Sequence, residues 1–474
     1  MVFIRLLFSV FTLWWAGIIA MAFLNREMKA RFSILEILAF SWMAGMGIVS
    51  LQLFVYSLLG ISYNVFWVSV PWVLFLVFCT TVTRFRRSFL NALNLDLAFC
   101  FPRSWVTVLF IMIAAWQVLF VFIFGLSAPI SGWDAWGIWF LKGKIFFETH
   151  GISSSFLKSG IPMHPDYPLL IPLSVTWIYT FLGQPDDQLA RILCSLQYVS
   201  LIIIFYYFVK ELSSRWNAAF FGILILLVPI FILHGGGLLP TLQFAGLYQS
   251  DFVGYADLTI AIYFLIAGGF LALGVVRKSG GFLLVSCFFA ALSAWTKNEG
   301  LSFLFFIILT VLFCGWRHRL LTVRRCVWMG VFLGLFVIPW ILYKKSLQIG
   351  NEYVEHLSAE TAKNLFKNFH IILSWLIKYM FRDFGLYNFV WFLYFFLLIR
   401  NVVRFFSSPV LVLNLLFWAQ FGSCIFIYLI TPREIQWQLG TSLDRIFLQL
   451  IPLVLLISSV YFAQMFKSSK PLAV

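Results

Sequence analysis

Charge is what this 474-residue sequence has least of: Asp, Glu, Lys and Arg together make 11% of it, against 62% hydrophobic and 20% aromatic residues. A soluble domain needs a mixed, charged surface, so that class is excluded. Acids are scarcer still, 18 against 33 Lys and Arg, for a formal net charge of +15. The bases are scattered between apolar runs and form no continuous patch, which excludes a nucleic-acid partner. The seven cysteines (79, 100, 194, 287, 314, 326 and 424) show no CxxC or Cys/His ligand spacing, so neither a disulfide framework nor a structural zinc is indicated. There is no GxxxxGK[ST], no strand-anchored GxGxxG and no loop large enough for a nucleotide domain on the basic side, so nothing points to ATP-driven transport. No A-x-A cleavage site follows residues 2–24, which are therefore read as a span. Internal repeats, low-complexity tracts and Asn-x-Ser/Thr sequons are also lacking; the last is compatible with a bacterial inner (plasma) membrane.

What is present is apolar length. The mean hydropathy is +0.97, and runs near 2–24, 33–60, 63–82, 104–126, 190–209, 217–234, 256–275, 281–296, 300–315, 326–343, 385–400, 408–430 and 447–466 read as thirteen membrane helices. The fold class expected is an all-α polytopic membrane protein. A further run at 167–183 is ambiguous, and the loop charges decide it. If it lies at or dips into the outer surface, one side collects the bases of loops 26–31, 84–103, 210–215, 277–278, 317–325, 400–404 and 467–470. That side holds nineteen bases and only Glu27, Glu36, Asp96 and Glu211, so the whole net charge sits there. By the positive-inside rule this side is cytoplasmic, the amino terminus lies outside and the carboxyl terminus inside. Residues 1–103 read as N-terminal membrane helices, 104–466 as a catalytic membrane module and 467–474 as a cytoplasmic tail.

The outer loops at 127–189, 235–255, 344–384 and 431–446 carry most of the acids, so chemistry belongs there. In Ser131-Gly132-Trp133-Asp134-Ala135-Trp136, a carboxylate stands between indoles at the head of an interfacial helix over 135–147. Desolvation by those indoles suits a general base; a helix N-cap is the plainer reading. In His164-Pro165-Asp166-Tyr167-Pro168, His164 and Asp166 can hold a phosphate or a hydroxyl, or simply stiffen a Pro-bounded turn. Asp251 and Asp257 sit where a loop enters the membrane, and Trp295-Thr296-Lys297-Asn298-Glu299-Gly300 joins two spans. Charges at that depth are costly and seldom idle. Lys297 and Glu299, two apart, would not face each other on a helix, so each is expected to find a partner elsewhere; an Asp–Lys pair locking two helix ends is the structural alternative. Arg445, in Thr441-Ser442-Leu443-Asp444-Arg445 above Pro452, either clamps a phosphate or snorkels.

Taken in order, these segments resemble the GT-C glycosyltransferases, in particular bacterial relatives of the lipid A aminoarabinose transferases and the protein O-mannosyltransferases. The resemblance runs over roughly 105–465: an acid in the first long outer loop (Asp134), a His-Pro stretch (His164-Pro165), an Arg heading the next span (Arg191), an acid opening a later one (Asp257), a Lys at an outer helix end (Lys297) and a late Arg followed by a Pro (Arg445, Pro452). The familiar Asp-Glu pair is here Asp134-Ala135, the His-Pro-Pro stretch is His164-Pro165-Asp166, and three extra helices precede the first long loop, which in the family usually follows the first span.

The resemblance implies a transferase that moves a sugar from a polyprenyl-phosphate donor to an acceptor hydroxyl on a lipid, glycan or protein. Asp134 would be the base, Arg191, Lys297 and Arg445 the phosphate ligands, and His164, Asp166, Asp251, Asp257 and Glu299 further substrate contacts. A divalent metal is left open, no other cofactor is implied, and membrane lipids are the surrounding partners. A multi-span lipid or solute transporter and a polysaccharide ligase or polymerase are the competing readings. Transporters tend to hold substrate near the midplane, whereas these acids gather at helix ends.

Overall fold

A computed structural model describes residues 1–96, 104–161, 164–237, 252–351, 353, 359–406 and 410–466, with 359–367 described in their backbone only. Asp251 and the 467–474 tail lie outside the described residues.

The chain is a helical membrane bundle. Among the described residues nine helices are long and apolar enough to cross a bilayer: Val2–Met28, Ile34–Leu58, Trp105–Gly125, Asp187–Leu212, Asp257–Val276, Glu299–Arg317, Val323–Ser346, Val410–Leu429 and Ile435–Phe466. Counting two bent pairs as spans raises the number to eleven. The remaining apolar runs fall on Gly280–Thr296 and Val390–Arg400, which are shorter than a full span. Local chemistry sets the ends. Ser33 and Glu36 form a capping box for Ile34–Leu58, and Asn64, Asp186, Ser214 and Thr322 cap their own helices through side-chain oxygens.

The two bends have identifiable causes. Arg215–Leu226 and Pro229–Gly235 meet at 71° because a residue before proline is pushed out of the helical region, and Val228 is extended at φ −83°, ψ 106°. Val65–Thr81 turns 104° at Val82 into Thr83–Leu93, whose TRFRRSFLNAL pattern buries Phe89, Ala92 and Leu93 and exposes the arginines. A one-ladder parallel pairing, Phe32–Ser33 with Leu95–Asp96, ties that turn to the start of Ile34–Leu58.

Asp257–Val276 forms the core of the bundle, buried through Val275 and packed against Gly280–Thr296, Ile192–Leu212 and Ile435–Phe466. The ambiguous run becomes Leu170–Leu182, all thirteen residues of it buried. At about 1.5 Å per residue it reaches roughly 20 Å, too short to cross hydrocarbon. It dips among Val2–Met28, Ile34–Leu58 and Leu141–Glu148, with Trp177 Nε1 donating to the Ser9 carbonyl and Thr176 Oγ1 to that of Gly143. Only glycine fits at 143, since a Cβ there would come within 2.8 Å of Val175.

Ion pairs separate into two groups at opposite helix ends. At one end all four of the acids expected among the bases are paired: Glu27 with Arg324 and Arg325, Glu36 with Lys210, Glu211 with Lys210 and Arg277, and Asp96 with Arg31. The other end holds the candidate site.

Candidate active site

Asp134 ends a short loop after Trp105–Gly125 and precedes a π-helical turn, Ala135–Phe140, that continues as Leu141–Glu148. Such turns recur at functional sites. The cap expected of Asp134 is not made: its backbone is helical (φ −68°, ψ −35°) and its side chain accepts from no amide of the turn. The carboxylate instead takes a charge-assisted bond from Arg445 Nη1. Its amide faces the Tyr255 hydroxyl at 3.3 Å. The flanking indoles do not enclose it, for Trp133 and Trp136 are 59% and 55% exposed and pack on each other at 5.5 Å.

Arg445 lies one-third of the way along Ile435–Phe466. Nε and Nη2 both donate to the Thr441 carbonyl, at 3.1 and 2.7 Å, and the guanidinium stands 5.3 Å over the Tyr255 ring. Backbone and ring thus hold the fork so that Nη1 projects between Asp134 and Asp257, whose Oδ2 is 3.9 Å away. Asp257 opens its helix fully buried, its Oδ1 accepting from Lys297 Nζ at 2.9 Å and Gln449 Nε2 at 2.7 Å. Lys297 also reaches Glu299 at 2.9 Å. Asp134, Arg445, Asp257, Lys297 and Glu299 therefore form one continuous chain of alternating charge.

The Lys297–Glu299 pair corrects the expectation that these two residues look elsewhere. That expectation holds on a helix, but Lys297 is extended at φ −156°, ψ 156° and Asn298 is helical at φ −60°, ψ −33°, so the chain breaks between the two helices and helical spacing does not apply to this pair.

Asp166 is held beside this chain: Oδ2 accepts from Asn298 and Asn351, each at 2.8 Å, and its carbonyl from Trp340 Nε1 at 3.4 Å. His164 takes a left-handed backbone (φ 49°). Its ring stacks on Tyr167 at 4.5 Å, and Tyr167 stacks on Trp139 at 5.5 Å. Burial lowers the His164 pKa, with Asp166 opposing. Arg191, fully buried, donates Nη1 to the carbonyls of Ala128 and Pro129, each at 2.7 Å, and Nη2 to that of Gly236 at 3.3 Å. These contacts position the loop leading to Asp134. Among the described residues no three His, Cys, Asp or Glu converge as a metal site; the acids here are interleaved with cations.

A scan against protein-family models finds no match, and a search of curated proteins finds none. Among solved structures, that of ArnT from Cupriavidus metallidurans in the apo state superposes with a TM-score of 0.50 at 16% identity, over 77% of this chain. The fold is ArnT-like. The chain spans 61% of that protein's length.

Within this ArnT-like fold, two residues stand out that no sequence motif marks. Lys142 has no exposed surface, donates Nζ to the His164 carbonyl at 2.6 Å, and is pushed down to about 7 by burial, with Asp166 opposing. Its position two residues into Leu141–Glu148, on the side turned to Leu170–Leu182, could have been inferred only with that packing known. The lowered pKa has a definite sign for stability. Between about pH 7 and the ordinary lysine value of 10.5 the unfolded chain binds the proton and the folded chain does not, so stability rises with pH through that window. Lys142→Met is expected to flatten the rise, as read by thermal unfolding at pH 6.5 to 10 in detergent; an unchanged pH slope would show that Lys142 does not carry it. The second residue is His234.

Proposed function

We propose that this chain is a GT-C-type membrane glycosyltransferase that moves a sugar from a polyprenyl-phosphate donor to an acceptor hydroxyl on the outer face of the membrane, with inversion. The observation that carries the reading is the meeting of Asp134, from the first long loop, with Arg445, 311 positions later, in a charge chain that runs on through Asp257 to Lys297. A base stands beside two cations, the pairing that displacement of a phosphate leaving group calls for. Nucleotide sugars are cytoplasmic, so an outward-facing site without a nucleotide domain is best served by a sugar already carried across on a lipid.

In this reading the acceptor oxygen attacks the anomeric carbon as Asp134 takes its proton, and the bond from that carbon to the phosphate oxygen breaks. Polyprenyl phosphate leaves, its charge met by Arg445 and Lys297. The Asp134–Arg445 pair adds an order of events. An incoming donor phosphate competes with Asp134 for the guanidinium, so donor binding releases the carboxylate to act as base. Asp257, held by Lys297 and Gln449, keeps both cations in position, and Asp166 and His164 line the acceptor side.

The test is release of polyprenyl phosphate from a panel of polyprenyl-phosphate sugars by purified protein, with a crude envelope extract as acceptor source. Release from one member of the panel is expected. No release from any of them, with folded protein, would overturn the lipid-linked donor.

A further inference from the structure

His234 stands in no motif, yet it is 1% exposed and, among the described residues, neither Nδ1 nor Nε2 has a hydrogen-bond partner. This is unusual. A neutral imidazole carries one donor and one acceptor, and a buried polar group left unmade costs the full loss of its hydration. The fold brings it inward deliberately. The break before Pro229 turns the last seven residues of that segment across the bundle, against Trp105–Gly125, Ile192–Leu212 and Asp257–Val276. Gly236 lets the end approach, since a Cβ there would come within 2.8 Å of the Val121 backbone. The ring lies flat on Phe252 at 5.1 Å and edge-on to Tyr255 at 5.9 Å. Tyr255 is the residue that also faces the Asp134 amide and the Arg445 guanidinium.

We infer that His234 is a sugar-recognition residue, binding hydroxyl groups of the glycosyl unit that the donor lipid carries. This rests on the proposed function. The argument is one of matching. A phosphate offers acceptors alone and would leave the accepting nitrogen unsatisfied, whereas a sugar's hydroxyls both donate and accept and can satisfy the two nitrogens. Tyr255, edge-on to the imidazole, also carries the Arg445 guanidinium over its ring, so the sugar bonded to the phosphate assigned to Arg445 is the nearest source of hydroxyls.

The experiment is equilibrium binding of a short-chain polyprenyl-phosphate sugar and of the same polyprenyl phosphate without its sugar, to wild type, His234→Phe and His234→Gln. Phenylalanine keeps the ring volume and the stack; glutamine restores a donor and an acceptor. Wild type is expected to prefer the sugar-bearing lipid, His234→Phe to weaken it about tenfold, the loss of one paired polar contact, with bare lipid unchanged, and His234→Gln to recover part of the preference. Equal weakening of both lipids would assign His234 to the phosphate and overturn the inference. So would a preference that survives in folded His234→Phe, or no preference in wild type. If the preference and its loss are seen but no variant or wild type turns over, the transferase reading fails and the role of His234 stands.

Discussion

Replacing Asp134 by asparagine is expected to lower turnover by about 10²- to 10⁴-fold, the usual contribution of a positioned general base, while donor binding stays within a few-fold of wild type. The substitution keeps shape and removes the proton acceptor. Arg445 retains Asp257 at 3.9 Å and its two bonds to the Thr441 carbonyl, so the guanidinium is not left without compensation. The measurement is single-turnover release of polyprenyl phosphate beside donor affinity. If Asp134 serves only to neutralise Arg445, the variant will melt at lower temperature yet turn over at the wild-type rate per folded molecule, and the role of base is lost.

Lys297→Met is expected to destabilise the fold by about 3–5 kcal/mol, the cost of removing one partner from a buried ion pair. Lys297 and Asp257 side chains are 7% and 2% exposed, and Glu299 loses its partner as well. The companion Asp257→Asn/Lys297→Met removes both charges and should recover much of that stability. The pair then separates two roles. If Lys297 merely locks two helix ends, the double variant regains turnover along with stability. If it meets the leaving phosphate, thermal stability returns and turnover stays low.

Hydropathy and loop charge made the bundle legible: the long apolar runs fall on helices, nine of them among the described residues long enough to cross a bilayer and 217–234 broken at Val228, and Glu27, Glu36, Asp96 and Glu211 are paired with the bases assigned to their side. The geometry that hydropathy does not carry was not legible. Nothing in an apolar window distinguishes the enclosed Leu170–Leu182 from a span except its length, or reveals that Val82 and Val228 turn their helices by 104° and 71°. At the site, Asp134, Asp257, Lys297 and Arg445 could be singled out because charge at an apolar helix end is conspicuous. Their order of contact could not, since it depends on Lys297 being extended. Arg191, singled out the same way, makes its described contacts to backbone carbonyls. Lys142 sits in a segment already mixed with polar residues, and His234 in a run that looks like any other span; burial alone distinguishes them, and burial is tertiary.

The π-helical turn after Asp134 fixes a phase. Ala135–Phe140 accommodates one residue more per turn than an α-helix, while Trp139 and Phe140 at its end and Phe146 beyond it are locked in the core. Were a single residue of that turn deleted, the remainder would relax to α-helix, and everything before it would rotate by about 100° relative to the anchored part. Asp134 would then face away from Arg445 although every residue of the charge chain were still present. The spacing between the acid and its buried anchor is thus as much a part of the site as the acid itself, and a deletion before Asp134 is expected to cost less activity than one in the six positions after it.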